Sequence, residues 1–372
     1  MRALLGGKAP TADEVGERLE RLARRVLKRA VIDASPRRVT FRLHPFAAPT
    51  RIVVLPNGDL EVKGDTTALG PGYHSQVDLR VAPILDELDY AWLEQDEDVE
   101  AEHLAWLAGK LAADGPVRIG MPAGRTFAVD APVLTSLGPR DAAWRTAVIA
   151  DPTKGRDAFA WWAPGPGTEA RSRALLAMWH EVPWRRPIVD DETALLQRVH
   201  NWLAAAHAAD PALELPWPDW CSLVDALALD DVLAAEVRTR GGKGMPTIGY
   251  RRHDLYAELS GGWTIRLPGA LVGGWEDDET RYVATDGFRA IELTTMTAAP
   301  GLISDALLAV APEAHPVIAR RSEGTLRGRA EAYDEDGVHV VHGLVVDAPH
   351  IAIVTCKGDE MWALATWRSL RR

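Results

Sequence analysis

Cysteine is nearly missing from this chain. Of 372 residues only Cys221 and Cys356 are cysteines, too few for a disulfide framework or a thiolate metal site within one chain. That usage suits a reducing compartment, and a cytoplasmic protein is expected. Basic charge is also in deficit, with 42 Lys and Arg against 53 Asp and Glu and a formal net charge of −11. A chain of that balance repels a phosphate backbone, and no Lys/Arg cluster interleaved with aromatics offsets it locally, so no nucleic-acid partner is expected. Long apolar runs are absent as well: none approaches the roughly 18 residues of a membrane-crossing helix, and the opening MRALLGGKAPTADEV lacks the apolar core of a signal peptide. No membrane span is expected.

The common catalytic signatures are missing too. Gly241-Gly242-Lys243-Gly244 runs into Met245 and Pro246 where a phosphate-binding loop needs Ser or Thr. His180-Glu181 lacks the second histidine of a zincin helix, and Pro183 would interrupt such a helix. His200 and His207 share a helical face but stand two turns, about 10 Å, apart. His339 and His342, three apart on a strand, point to opposite faces. No metal and no cofactor is expected. Gly-x-Ser-x-Gly does not occur, and Cys221 lies in the apolar run WCSLVDAL.

What the chain does have is tryptophan, 14 residues against 5 phenylalanines. Trp combines a large apolar area with an N–H that needs a partner, so it suits polar-seamed cores and contact surfaces. Apolar periodicity predicts an amphipathic helix over 12–30, followed by three β-rich runs, RRVTFRLHPF, TRIVVLPNG and DLEVKGDTTALG, with Asn57-Gly58 at a hairpin turn. Helical spacing resumes at Tyr73, Val77, Val81, Ile84 and Leu88, with Pro83 expected to bend or end that helix. Another helix is expected over about 99–113, and GPVRIGMPAGRTFAVDAPVLTSLGP reads as strands. The acidic run 94–102, EQDEDVEAE, reads as a solvated stretch entering a helix or as a steering patch for a basic protein. DAFAWWAPGPG and TRGGKGMPTIG read as breaks. The predicted fold class is α+β: an N-terminal α+β domain over 1–167, a helical segment over 168–240, and a C-terminal antiparallel sheet with packed helices over 245–372.

The stretch LGPGYHSQVDL, 69–79, is the candidate site. Its Gly-Pro-Gly either turns a strand into a helix or presents an active-site loop. In the second reading His74 and Asp78, four apart on one face, form an oriented base beside first-turn N–H groups able to receive an anion. Gly72, Tyr73, His74, Trp161 and Trp162 are the candidate binding residues. A deep polar pocket at His74 and Asp78 would favour an enzyme, and an exposed Trp patch would favour a binder.

The phrase GGWTIRLPGALVGGW, 261–275, followed by a polar strand, a β-meander and a closing helix, resembles the Mog1/PsbP-like fold over about 245–372. The resemblance implies a protein that binds protein partners without a shared catalytic motif, and it transfers no site residue. The expected function is that of a non-catalytic cytoplasmic interaction protein of chaperone, immunity or adaptor type, with a protein partner. The alternative is a hydrolase or transferase with its site at the start of the helix near Gly72.

Overall fold

A computed structural model describes residues 2–5, 11–94, 98–113, 117–120, 126–129, 133–135, 138–276 and 281–372. The first layer is a six-stranded antiparallel sheet. Its strands are β1 (Arg2–Leu5), β2 (Val31–Ser35), β3 (Arg38–Phe41), β4 (Thr50–Val54), β5 (Leu60–Lys63) and β6 (Tyr90–Glu94), in the order β2-β3-β4-β5-β1-β6. Helices α1 (Ala12–Leu27) and α2 (Pro71–Glu87) pack on one face of this sheet. Thr11 and Glu14 close a capping box at the start of α1, which fixes where that helix begins. The Asn57-Gly58 turn joins β4 and β5, with Gly58 at φ 90°.

Alternation decides which side chains face the helices. Ile52, Val54, Leu60 and Val62 point inward, while Arg51, Glu61 and Lys63 point out. Helix α2 runs through Pro83 to Glu87, so of the two outcomes expected there, a bend or an end, the helix does not end. Pro83 and Leu79 are both exposed, so the proline sits on the solvent side of α2, away from the packed core.

Helix α3 (Val99–Ala112) follows, capped by the Asp98 side chain. Residues 95–97 of the acidic run lie outside the described residues. The short strands β7 (Val117–Gly120), β8 (Thr126–Val129), β9 (Val133–Thr135) and β10 (Gly138–Arg140) lead to α4 (Ala142–Ala150). The central segment is helical, as expected, and holds α5 (Pro166–His180), α6 (Asp190–Ala209), α7 (Trp217–Ala226) and α8 (Val232–Gly241) around a core that includes Met178, Leu203 and Trp220. Leu176 of α5 belongs to the core of the first sheet while its neighbour Leu175 belongs to this one.

The glycine-rich stretch after α8 is packed rather than open. A Cβ on Gly241 would lie 2.4 Å from Cys221 Cβ, and Ile248 and Tyr250 enter the helical core. Strands β11 (Asp254–Glu258) and β12 (Thr264–Pro268) then form a four-stranded sheet, β12-β11-β8-β7, with strands from before the helical segment.

The last layer is a seven-stranded antiparallel sheet. It contains β13 (Val272–Trp275), β14 (Arg281–Thr285), β15 (Ala290–Thr297), β16 (Val317–Glu323), β17 (Leu326–Glu335), β18 (Val338–Asp347) and β19 (His350–Lys357), in the order β13-β14-β15-β19-β18-β17-β16. Helix α9 (Ser304–Val310) and the turn after it cover one face, gripped by Arg329, which donates to the carbonyls of Leu308, Ala311 and Pro312. Helix α10 (Glu360–Ser369) covers the other face, with Trp367 seated so close to Gly343 that a Cβ there would lie 2.2 Å from its ring. The chain is therefore α+β, and no described helix is long and apolar enough to cross a membrane.

Candidate functional site

The stretch 69–79 is built on a backbone clasp. Gly70 holds φ at +115°, which L side chains avoid. Gly72 meets a different demand, because a Cβ there would lie 2.6 Å from Trp161 Cδ1 and 2.8 Å from the carbonyl oxygen of Ala163. Its N–H donates to the Trp161 carbonyl at 3.1 Å, and the Trp161 N–H returns a bond to the Leu69 carbonyl at 3.0 Å.

These bonds dispose of the helix start as an anion site. Pro71 has no N–H, that of Gly72 is held by Trp161, and those of Tyr73 and His74 both donate to the Gly70 carbonyl, at 3.1 and 3.4 Å. The expected free donors of the first turn are used up by the turn itself and by Trp161.

His74 is buried, at 8% exposure, rather than part of a surface pair. Thr66 Oγ1 lies 3.2 Å from His74 Nδ1 and 3.5 Å from His103 Nε2, and the two imidazoles meet edge to face at 6.3 Å. His103 Nδ1 donates to the Val99 carbonyl at 2.7 Å, which fixes a proton on that nitrogen. Asp78 Oδ2 stands 3.5 Å from His74 Nε2.

A cleft of about 610 Å³ opens over this group, between the ends of β4 and β5 and the first turn of α2. Thr66 and His74 line it, with Thr50, Arg51, Lys63 and Asp65 around them. Arg51 and Lys63 are register partners on the outer face of the sheet. The Asp65 carboxyl is held below its usual range by the hydroxyl and N–H of Thr67.

Chemically, Thr66, His74 and Asp78 outline a hydroxyl, a base and an orienting carboxylate. Two components fall short. The His74–Asp78 separation is long for a hydrogen bond, and no first-turn N–H is open to an oxyanion.

A second hydroxyl–imidazole pair is inert. His44 Nδ1 accepts from the Phe46 N–H at 3.3 Å, so the proton of the neutral ring sits on Nε2, which donates to Ser172 Oγ at 3.4 Å. Ser172 in turn donates to the Glu169 carbonyl at 2.7 Å. Burial, then the Arg173 charge, pushes the His44 imidazole down to about 3. A nitrogen that already carries a proton cannot take one from serine.

The other candidates are dispersed. Tyr73 and Trp161 lie inside the first core, 5.6 Å apart, out of reach of a partner's surface. Trp162 is half-buried against Phe159, with the Arg156 guanidinium 5.4 Å from its ring. All 14 tryptophans are buried or half-buried, so the expected Trp-rich contact surface does not form. Among the described residues no group of three or more His, Cys, Asp or Glu converges to hold a metal.

Among the described residues the exposed aromatic is Phe288, at 91% exposure, on the tip between β14 and β15. The tip is stapled from within by Asp286, itself 6% exposed. Asp286 Oδ1 accepts the N–H groups of Phe288 and Arg289 at 3.0 and 2.7 Å, and Oδ2 accepts Arg289 Nε and Nη2 at 2.8 and 2.6 Å. Burial alone would raise the Asp286 carboxyl, but these donors outweigh it and hold the group below its usual range. Gly287 (φ 87°) turns the tip against Ile188, and Arg289 lies 5.2 Å from the ring of Trp362.

Sequence reading missed Thr66, His103 and Phe288. The first two meet only through the fold, 37 positions apart, whereas the Asp286-Gly287 pair does mark a turn that displays its next residue. No protein-family model matches the chain, and a search of curated proteins finds no match.

Proposed function

We propose that the protein is a non-catalytic cytoplasmic binding protein of chaperone, immunity or adaptor type, which holds a protein partner through the Phe288 tip of a Mog1/PsbP-like C-terminal region. The observation that carries this reading is the pairing of full exposure with a fixed backbone at Phe288. Exposing a phenylalanine to water forgoes on the order of 2–3 kcal/mol of apolar burial. The buried Asp286 carboxylate fixes the backbone there, accepting the N–H groups of Phe288 and Arg289 and two bonds from the Arg289 side chain. A pre-ordered aromatic loses little freedom on docking, which is the property of an interface anchor. The partner supplies an apolar pocket for the ring. Net charge disfavours nucleic acid as that partner, and the cytoplasmic assignment rests on cysteine usage.

Phe288→Ser tests the reading. The side chain touches solvent, so the melting temperature should stay within about 2 °C while the partner dissociates at least tenfold more readily. Undiminished partner retention by the folded variant contradicts the proposal.

The alternative, a hydrolase or transferase at the His74 cleft, is favoured by the Thr66–His74–Asp78 alignment. Thr66→Val, which keeps the shape and removes the hydroxyl, separates the two. An enzyme loses turnover of an ester or phosphoester probe, and a binder keeps its partner.

A further inference from the structure

The Phe288 tip has apolar company. Gly287 brings it against the turn before α6, where a Cβ on Gly287 would lie 2.9 Å from Ile188 Cγ2. Ile188 and its neighbour Val189 are themselves 44% and 55% exposed. Large apolar side chains from two distant stretches of the chain therefore meet water at one place, whereas exposed apolar residues that carry no function stand singly. The turn is held as firmly as the tip: the Ile188 N–H donates to Glu192 Oε2 at 2.9 Å, and Arg185 forks onto the same carboxylate through two bonds of 2.7 Å.

Folding does not ask for valine at position 189. Val189 is the N-cap of α6, with extended backbone at φ −136° and ψ 158°, and its side chain offers no acceptor to the first-turn N–H groups. Serine, threonine, aspartate or asparagine there would accept one of those bonds. Valine forgoes the cap and also leaves half its surface in water. A partner that covers the side chain accounts for both.

Charge around the patch selects that partner. Arg185 and Arg289 are spent on Glu192 and Asp286, and Lys357 is spent on Glu335. His339, 3.3 Å from Glu360, also faces Asp334 at 3.0 Å. Four exposed carboxylates remain, Asp190 and Asp191 on the first turn of α6 and Asp359 and Glu360 at the start of α10, which the 5.2 Å contact of Arg289 with Trp362 joins to the tip. Among the described residues the cations left to set against them are Arg186, which is exposed and has no ion pair, and the half-buried Arg251, near Glu192. Four carboxylates less two guanidinium groups leave a surplus of two negative charges. The dipole of α6 explains acidic residues in its first turn, but not an exposed apolar pair beside them. A second copy of the chain brings the same negative rim, and an anionic membrane is repelled as well.

We propose that Phe288, Ile188 and Val189 form one docking surface, and that it takes a protein segment whose apolar residues are flanked by Lys or Arg. This rests on the reading of Phe288 as a partner anchor, and adds to it the turn before α6 and the charge of the partner.

The test uses a random peptide library displayed on phage and panned against the intact chain, the selected peptides then being titrated by fluorescence anisotropy. They should combine large apolar residues with Lys or Arg, bind one per chain and bind more weakly as salt rises. Val189→Ser supplies the missing cap, so it should unfold at a higher urea concentration than the wild type and yet bind at least tenfold more weakly, a pair of opposite shifts that a structural role cannot give. Val232→Ser, at an exposed position on α8, should leave binding unchanged. Should Val189→Ser fail to fold, Ile188→Ser takes its place. Selected peptides that are acidic, no selected peptide at all, or Phe288-dependent flotation with phosphatidylcholine vesicles overturns the proposal. Full binding by Val189→Ser together with loss at Phe288→Ser overturns the extended surface and leaves the Phe288 anchor standing, whereas full binding by Phe288→Ser removes both.

Discussion

Replacing Gly72 by alanine adds one methyl group to the clasp between 69–72 and 161–163, and the cost follows from what that methyl meets. The new Cβ would sit 2.6 Å from Trp161 Cδ1 and 2.8 Å from both the carbonyl carbon and oxygen of Ala163. A flexible side-chain end could swing away, but here one obstacle is backbone and the other is a ring fully enclosed in the first core. Overpacking of this kind costs about 1–3 kcal/mol. Moving 161–163 aside also stretches the bonds Gly72 N–H to Trp161 O and Trp161 N–H to Leu69 O, which adds about 1 kcal/mol. The expected loss is therefore about 2–4 kcal/mol. Urea unfolding followed by far-UV circular dichroism reads it as a lower midpoint at unchanged slope. Gly109→Ala is the control: nothing lies within 4 Å of its Cβ position in α3, so alanine should stabilise the helix by about 0.5–1 kcal/mol. A loss below about 0.5 kcal/mol for Gly72→Ala would refute the clasp, and with it the claim that this stretch is scaffold.

Stability should fall steeply in mild acid. His44 is held near 3 and His180 near 4 by burial, the Arg173 charge adding to the effect at His44, and an unfolded imidazole titrates near 6.5. Between those values the unfolded chain binds more protons, so the contribution is fully present above about pH 6.5 and is lost as the pH falls toward 3; it amounts to roughly 3–5 kcal/mol per histidine. Equal urea midpoints at pH 7 and pH 4.5 would contradict it. His74→Ala should destabilise by about 1–3 kcal/mol, because it leaves the Thr66 hydroxyl without its His74 partner in the buried seam; a melting temperature unchanged from wild type would mean that the seam is not formed in solution. Gly343→Ala should lower stability by at least about 2 kcal/mol through collision with the Trp367 ring, and a neutral result would show that α10 is not seated as described.

Local physics made much of the fold readable. The amphipathic spacing of Val15, Leu19 and Leu27 specifies α1, and Asn57-Gly58 specifies the β4–β5 turn. Pro83 does not end α2, because a proline's effect depends on which side of the helix it occupies and this one is on the exposed side. The pairing of β11 with β8 joins residues on either side of the five helices α4 to α8, and no local pattern encodes such a register. The site was half legible: Gly-Pro-Gly and the His74–Asp78 spacing stand out in the chain. Whether first-turn donors are free depends on Trp161, some ninety positions away. Tryptophan content likewise says nothing of exposure, and here all 14 tryptophans are buried or half-buried, while Phe288 stands in water.

The central claim is that function resides in a displayed phenylalanine rather than in the His74 cleft, and photocrosslinking tests it most directly. A benzophenone amino acid is placed at Phe288 and, as a control, at Val232, which is 89% exposed on the N-terminal turn of α8. Irradiated in cells of the native host, position 288 should give one discrete adduct that position 232 does not, and the adduct should vanish when Asp286→Ala releases the staple. Identical adduct patterns at the two positions, or an adduct at 288 that persists without Asp286, would contradict the account.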